Sequence, residues 1–205
     1  MEKPLTLLHT ATVHHATFSK LAEQIAPNLE LVQHIHEDWL TRARENGMDS
    51  ALHAEISELV QTADGPVVCT CTTLGPVAEE LGAIRIDRPM MSAAARRGGK
   101  ILMVFCLEST RTPSTELLEQ EIEATDSDAT IIPMFLEQFW PLFEAGENEA
   151  FLACIAGAVN AYVVDHPDTN TVVLAQASMA GASSLLSQLK MPVLTSPGIA
   201  LQAFA

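Results

Sequence analysis

Two eight-residue stretches, 105 positions apart, constrain this chain more than any other feature. Val67-Val68-Cys69-Thr70-Cys71-Thr72-Thr73-Leu74 aligns without a gap on Val172-Val173-Leu174-Ala175-Gln176-Ala177-Ser178-Met179. Each begins as a continuous apolar run, the pattern of a strand buried on both faces. Each then passes through small, hydroxyl-bearing residues into a helical pattern. Downstream, Ile86-Asp87-Arg88-Pro89 falls opposite Leu194-Thr195-Ser196-Pro197. Upstream, Leu8-His9-Thr10-Ala11-Thr12 is similar to Leu107-Glu108-Ser109-Thr110-Arg111-Thr112. A repeat of this kind predicts two like halves built from the same strand–turn–helix unit.

The rest of the chain alternates in the same way. Short apolar runs predict strands at 5–9, 29–34, 67–70, 83–86, 101–107, 129–132, 171–174 and 193–194. Apolar residues at helical spacing predict helices at 17–25, 53–60, 74–81, 115–122, 149–164 and 183–189. Alternating strands and helices imply parallel sheets covered on both faces. The expected fold class is therefore α/β, with two Rossmann-like or flavodoxin-like halves related by a pseudo-twofold axis and a site in the cleft between them. Arg96-Arg97-Gly98-Gly99 marks the boundary. Residues 1–97 form the half carrying Cys71, residues 98–195 form the half carrying Gln176, and 196–205 return to the first half.

Composition narrows the partners. Of 205 residues, 48% are hydrophobic and 18% charged, so a substantial core is available and disorder is not expected. The net charge of −15 argues against nucleic acid and against an anionic membrane surface, both of which need clustered Lys and Arg. Between Glu108 and Glu149 the only base is Arg111, which reads as a solvated acidic face. No apolar run reaches the roughly 18 residues of a membrane span. Met1-Glu2-Lys3-Pro4 lacks the basic start of a secretory signal, so a cytoplasmic location and reduced cysteines are expected. Cys69-Thr70-Cys71 is too close for an ordinary bridge and lacks the spacing of a zinc or redox motif.

In open parallel sheets ligands bind beyond the carboxyl ends of the strands. Cys71, Thr72 and Thr73 fall there in the first half, and Gln176, Ala177 and Ser178 in the second. Backbone N–H groups at the following helix starts, with Thr and Ser hydroxyls, suit a carboxylate or a developing enolate oxygen. A thiolate at Cys71 could take a proton from a carbon acid or attack an electrophilic carbon. The alternative is an inert buried thiol, the reading given to Cys69, Cys106 and Cys154. Thr10, Thr12, Ser109, Thr110 and Thr112 are candidates to hold a carboxylate, or are simply turn and N-cap hydroxyls. His9 either orients Cys71 or a ligand, or is a packed histidine. His14-His15 and His34-Ile35-His36-Glu37-Asp38 offer a metal-hydrolase alternative, or a loop entering a helix at Trp39-Leu40.

The stretch Val68-Cys69-Thr70-Cys71-Thr72-Thr73-Leu74-Gly75 resembles the first cysteine motif of the aspartate/glutamate/hydantoin racemase superfamily, where a strand ends in Cys, a polar residue and Thr. Val173-Leu174-Ala175-Gln176-Ala177-Ser178-Met179-Ala180 resembles the second motif, and Pro192-Val193-Leu194-Thr195-Ser196-Pro197 fits the family's ending. The resemblance implies an enzyme without cofactor or metal, acting on a small carboxylate-bearing molecule, and homo-oligomers in some members. Family racemases use two cysteines on opposite faces of the substrate. Here Cys71 holds the first position and Gln176 the second. The resemblance therefore implies a one-sided isomerase or decarboxylase-like lyase with a single thiol. A binding protein that keeps the carboxylate cradle is the alternative from another class.

Overall fold

The computed structural model describes residues 3–205; Met1 and Glu2, where the reading of the N-terminal segment begins, lie outside the described residues. Contacts divide the chain into two units. One runs to Ile86 and takes in Pro197–Ala205; the other is Asp87–Ser196.

The first unit is built on four strands: β1 (Leu5–His9), β2 (Leu31–Ile35), β3 (Val67–Cys69) and β4 (Ile84–Arg85). All pair in parallel, in the order β2-β1-β3-β4. Its helices are α1 (Val13–Ile25), α2 (Glu37–Asn46), α3 (Ser50–Thr62) and α4 (Gly75–Glu80). Alternation along β1 sorts the core: Leu5 and Leu7 pack with Phe18 and Ala22 of α1, whereas Leu8 packs with Trp39, Leu52 and Ile56. Ala200 and Leu201 close the α1 side.

The second unit repeats the plan. It begins with α5 (Arg88–Ala95), followed by β5 (Lys100–Phe105), α6 (Glu108–Ala124) and β6 (Thr130–Phe135). Then come α7 (Trp140–Glu144), α8 (Asn148–Asp165), β7 (Thr169–Leu174), α9 (Ala182–Leu185) and β8 (Val193–Thr195). The segment α10 (Ser196–Leu201) leads back to the first unit. The sheet order is β6-β5-β7-β8, again all parallel. Pro133 is tolerated inside β6 because that strand lies at the sheet edge, where a missing donor costs no ladder bond.

The two sheets share one register. Val67, Val68 and Cys69 pair with Thr6, Leu7 and Leu8; Val172, Val173 and Leu174 pair with Leu102, Met103 and Val104. The 105-residue offset read from the sequence is thus reproduced in hydrogen bonding. Thr70 N donates to Leu8 O at 3.0 Å, as Ala175 N does to Val104 O at 2.9 Å.

Three readings need correction. Gly98-Gly99 is not the boundary between the units. Both glycines have φ +68°, a left-handed turn that ends α5, and α5 packs on α6, β7 and β8 inside the second unit. The division therefore falls at Ile86/Asp87 rather than 97/98. The flanking alignments also slip: Leu8 corresponds to Val104 rather than Leu107, and Ile84 rather than Ile86 corresponds to Leu194. Finally, α6 starts at Glu108 rather than 115 and carries Pro113 inside it, so Ser109, Thr110 and Thr112 are helical and not part of a preceding loop.

Candidate functional site

In the first unit the site begins where β1 and β3 end. Register places His9 beside Thr70 and Thr10 beside Cys71. Cys71 is 8% exposed and opens a turn through Thr72 and Thr73 into α4, where Gly75 N donates to Thr72 O at 3.2 Å. Thr10 and Thr72 are buried and Thr73 is half-buried. None of the four cysteines is in a disulfide. Helix α4 spans only six residues, so its dipole gives the thiol little help.

His9 is fully buried at the end of β1. His9 Nδ1 lies 2.9 Å from Thr70 Oγ1 and Nε2 lies 2.9 Å from Gln33 Oε1, so the neutral ring meets them with one acceptor and one donor nitrogen. Burial lowers the His9 pKa from 6.5 to about 4, against an opposing bond from Gln33 and with further lowering by His15. His9 is therefore a neutral ring that pins Thr70, the residue preceding Cys71.

Other candidates divide. Thr12 is exposed, and both its amide and its hydroxyl donate to Glu37 Oε1, at 3.0 and 2.6 Å. Those two bonds hold the Glu37 carboxyl below its ordinary range. A carboxylate of the protein thus already occupies the α1 start. His34 and His36 lie face to face at 6.4 Å, and His36 stacks on Trp39 at 3.9 Å, so their rings are parallel and not convergent. Among the described residues no group of three His, Cys, Asp or Glu side chains could hold a metal ion. His14 is buried against His9 and Phe18.

Arg85 escaped the sequence reading. It ends β4, is buried, and packs on Gly75, where an added Cβ would lie 3.0 Å from its Nε. A permanent cation thus lies against the first residue of α4. The available signal was one Arg inside the apolar run Ala83-Ile84-Arg85-Ile86.

In the second unit the same register sets Cys106 beside Gln176, and the two bond directly: Cys106 N donates to Gln176 Oε1 at 2.6 Å. Gln176 is 7% exposed and precedes a 3₁₀ turn over Ala177–Met179. The Ser178 hydroxyl is buried without a hydrogen-bond partner. Burial pushes the Cys106 thiol up to about 12, so it is no substitute for a second reactive cysteine. Thr110 is buried and Ser109 half-buried at the start of α6, but Thr112 is exposed. Two residues on a helix are about 200° apart, so Thr110 and Thr112 face opposite ways and Thr112 does not join the others.

Two parallel four-stranded units of one register, each with its candidate groups at the carboxyl ends of its first and third strands, define a duplicated open α/β fold. The sequence matches no family model and no curated protein. Solved structures match over nearly the full length. Aspartate racemase from Picrophilus torridus superposes with a TM-score of 0.69 at 13% identity, covering 95% of this chain and 89% of that one. Glutamate racemase from Francisella tularensis, solved with D-glutamate, gives 0.64 at 12%, covering 99% and 80%. Allantoin racemase from Pseudomonas fluorescens gives 0.64 at 15%, covering 98% and 88%. The chain thus has the two-unit α/β fold of these racemases. Among the described residues no helix is long and apolar enough to cross a membrane.

Proposed function

We propose that this protein is a cofactor-independent, racemase-like enzyme acting at the carbon next to a carboxylate of a small substrate, with Cys71 as its only proton-transfer thiol. The fold alone does not carry this, because one fold hosts many activities. The observation that carries it is the shared register, which sets Gln176 at the position that Cys71 holds in the other unit. The buried Arg85 packs on Gly75, at the start of the helix that follows the Cys71 turn.

As thiolate, Cys71 takes the proton from the carbon next to the carboxylate, and the C–H electron pair passes into an enediolate. The proton on sulphur exchanges with solvent and returns to carbon. With a substituted malonate the same group works in reverse. The C–C bond breaks, carbon dioxide leaves, its electron pair forms the enediolate, and the Cys71 thiol protonates the carbon. Thr10, Thr72, Thr73, Ser109, Thr110, Ala177 and Ser178 are proposed to hold carboxylate oxygens. An amide cannot relay a proton near neutral pH, so Gln176 also favours a second reading, a carboxylate-binding protein without turnover.

The test is incubation in deuterated water with aspartate, glutamate, allantoin, hydantoins and substituted malonates, with Cys71→Ala in parallel. Deuterium incorporation or carbon dioxide release that vanishes in Cys71→Ala is the expected result. Saturable binding without either reaction selects the binding protein. Turnover that survives Cys71→Ala overturns the thiol mechanism.

A further inference from the structure

We infer that Gln176 is a clamped hydrogen-bond donor that reads a carbonyl or carboxylate oxygen of the ligand; the inference rests on the carboxylate-ligand reading above and adds what the second position recognises. The orientation of the carboxamide follows from chemistry. Cys106 N–H can only donate, so the atom it meets at 2.6 Å must be Oε1 and the NH₂ must point the other way. That NH₂ makes no hydrogen bond among the described residues, although Gln176 is 7% exposed. That NH₂ is not sealed from solvent, so a ligand oxygen would take the place of water there. The Ser178 hydroxyl, two residues on, is buried and without a partner. Two neutral donor groups therefore stand close in sequence at the end of β7, and both lack acceptors.

The Cys106 amide has a further meaning. It is the first N–H beyond the end of β5, and a short side chain at 176 would leave it open to a ligand oxygen. Gln176 fills that amide with its own oxygen and presents its NH₂ in exchange. The second unit thus recognises an acceptor displaced outward by the length of the carboxamide. A neutral donor of this kind suits a carboxylate, amide or ureide oxygen and gives nothing to an ammonium group, which has no acceptor.

Wild type and two variants of the full chain test this with malonate, glutamate and allantoin as probes. In a ¹H–¹⁵N spectrum, the Gln176 side-chain NH₂ pair is assigned by its loss in Gln176→Glu. Titration of wild type with at least one probe is expected to shift that pair. Gln176→Glu keeps an oxygen for Cys106 N–H and the same shape but replaces the donor by a carboxylate. It should keep the wild-type melting temperature and bind the same probe at least about tenfold more weakly. Gln176→Ala reopens the Cys106 amide and should bind within a few-fold of wild type, with a shift of the Cys106 amide in place of the lost pair. A Gln176 pair that no probe moves overturns the inference, as does wild-type affinity in Gln176→Glu. Deuterium exchange abolished by Cys71→Ala would leave the proposed activity standing in either case, so the two failures are separable.

Discussion

Buried histidines give the sharpest quantitative test of the first unit. His9 and His14 stand 5.9 Å apart between ring centroids, and burial lowers each from 6.5 to about 4. The folded protein therefore holds both neutral at acidities where the unfolded chain protonates them. Between those two values the unfolded state binds more protons, so stability is complete above 6.5 and is lost as pH falls toward 4. From about pH 7.5 to about pH 5 each histidine withdraws about 2 kcal/mol, or about 4 kcal/mol for the pair. In urea that is a midpoint shift of about 1–4 M. Carboxylates titrate in part of the same range, so the difference between wild type and His14→Gln isolates the histidine share. Wild type should lose about 2 kcal/mol more than the variant over this range. Imidazole resonances of His9 and His14 should hold their neutral positions until pH nears 4. An imidazole that titrates near 6.5 in the folded protein, or a wild-type midpoint no more pH-dependent than the variant's, refutes the burial argument.

Two further outcomes are expected. Gly99→Ala places a Cβ on a backbone at φ +68° and 2.3 Å from Asn170 Oδ1, the atom that accepts from Lys100 N. It should destabilise the second unit by about 2 kcal/mol or more in urea unfolding, and an unchanged midpoint would refute it. Iodoacetamide at mildly alkaline pH should label half-buried Cys154 in the native protein and leave Cys106 untouched until denaturant is added, which peptide mass analysis reads directly.

Strand positions were legible because buried parallel strands are written as continuous apolar runs, and the 105-residue repeat survived into the sheet register. Helices without an apolar stripe were not legible. In α2 only Trp39 is fully buried, so Glu37–Asn46 showed a helix entry at Trp39-Leu40 but no stripe to mark its extent. Pro113 hid the start of α6, since proline normally marks a boundary. Gly98-Gly99 was read as the boundary because a helix-ending turn and a boundary between units share composition. At the site, Cys71 and Gln176 stood out through their strand ends. The Cys106 amide could not, because a backbone N–H has no letter of its own. Arg85 was a lone charge in an apolar run and was read past.

The return of Pro197–Ala205 to the first unit has a consequence for the order in which the molecule assembles. Ala200 and Leu201 lie in the core beside Leu5, Leu7 and Phe18, so the first unit's last interior residues leave the ribosome after the whole second unit. Domains are generally completed from the N-terminus during synthesis. Here the first sheet keeps its α1 side unsealed until Asp87–Ser196, an unbroken stretch, has been synthesised. The chain closes like a clasp, and the unit that carries Cys71 is the last to become whole.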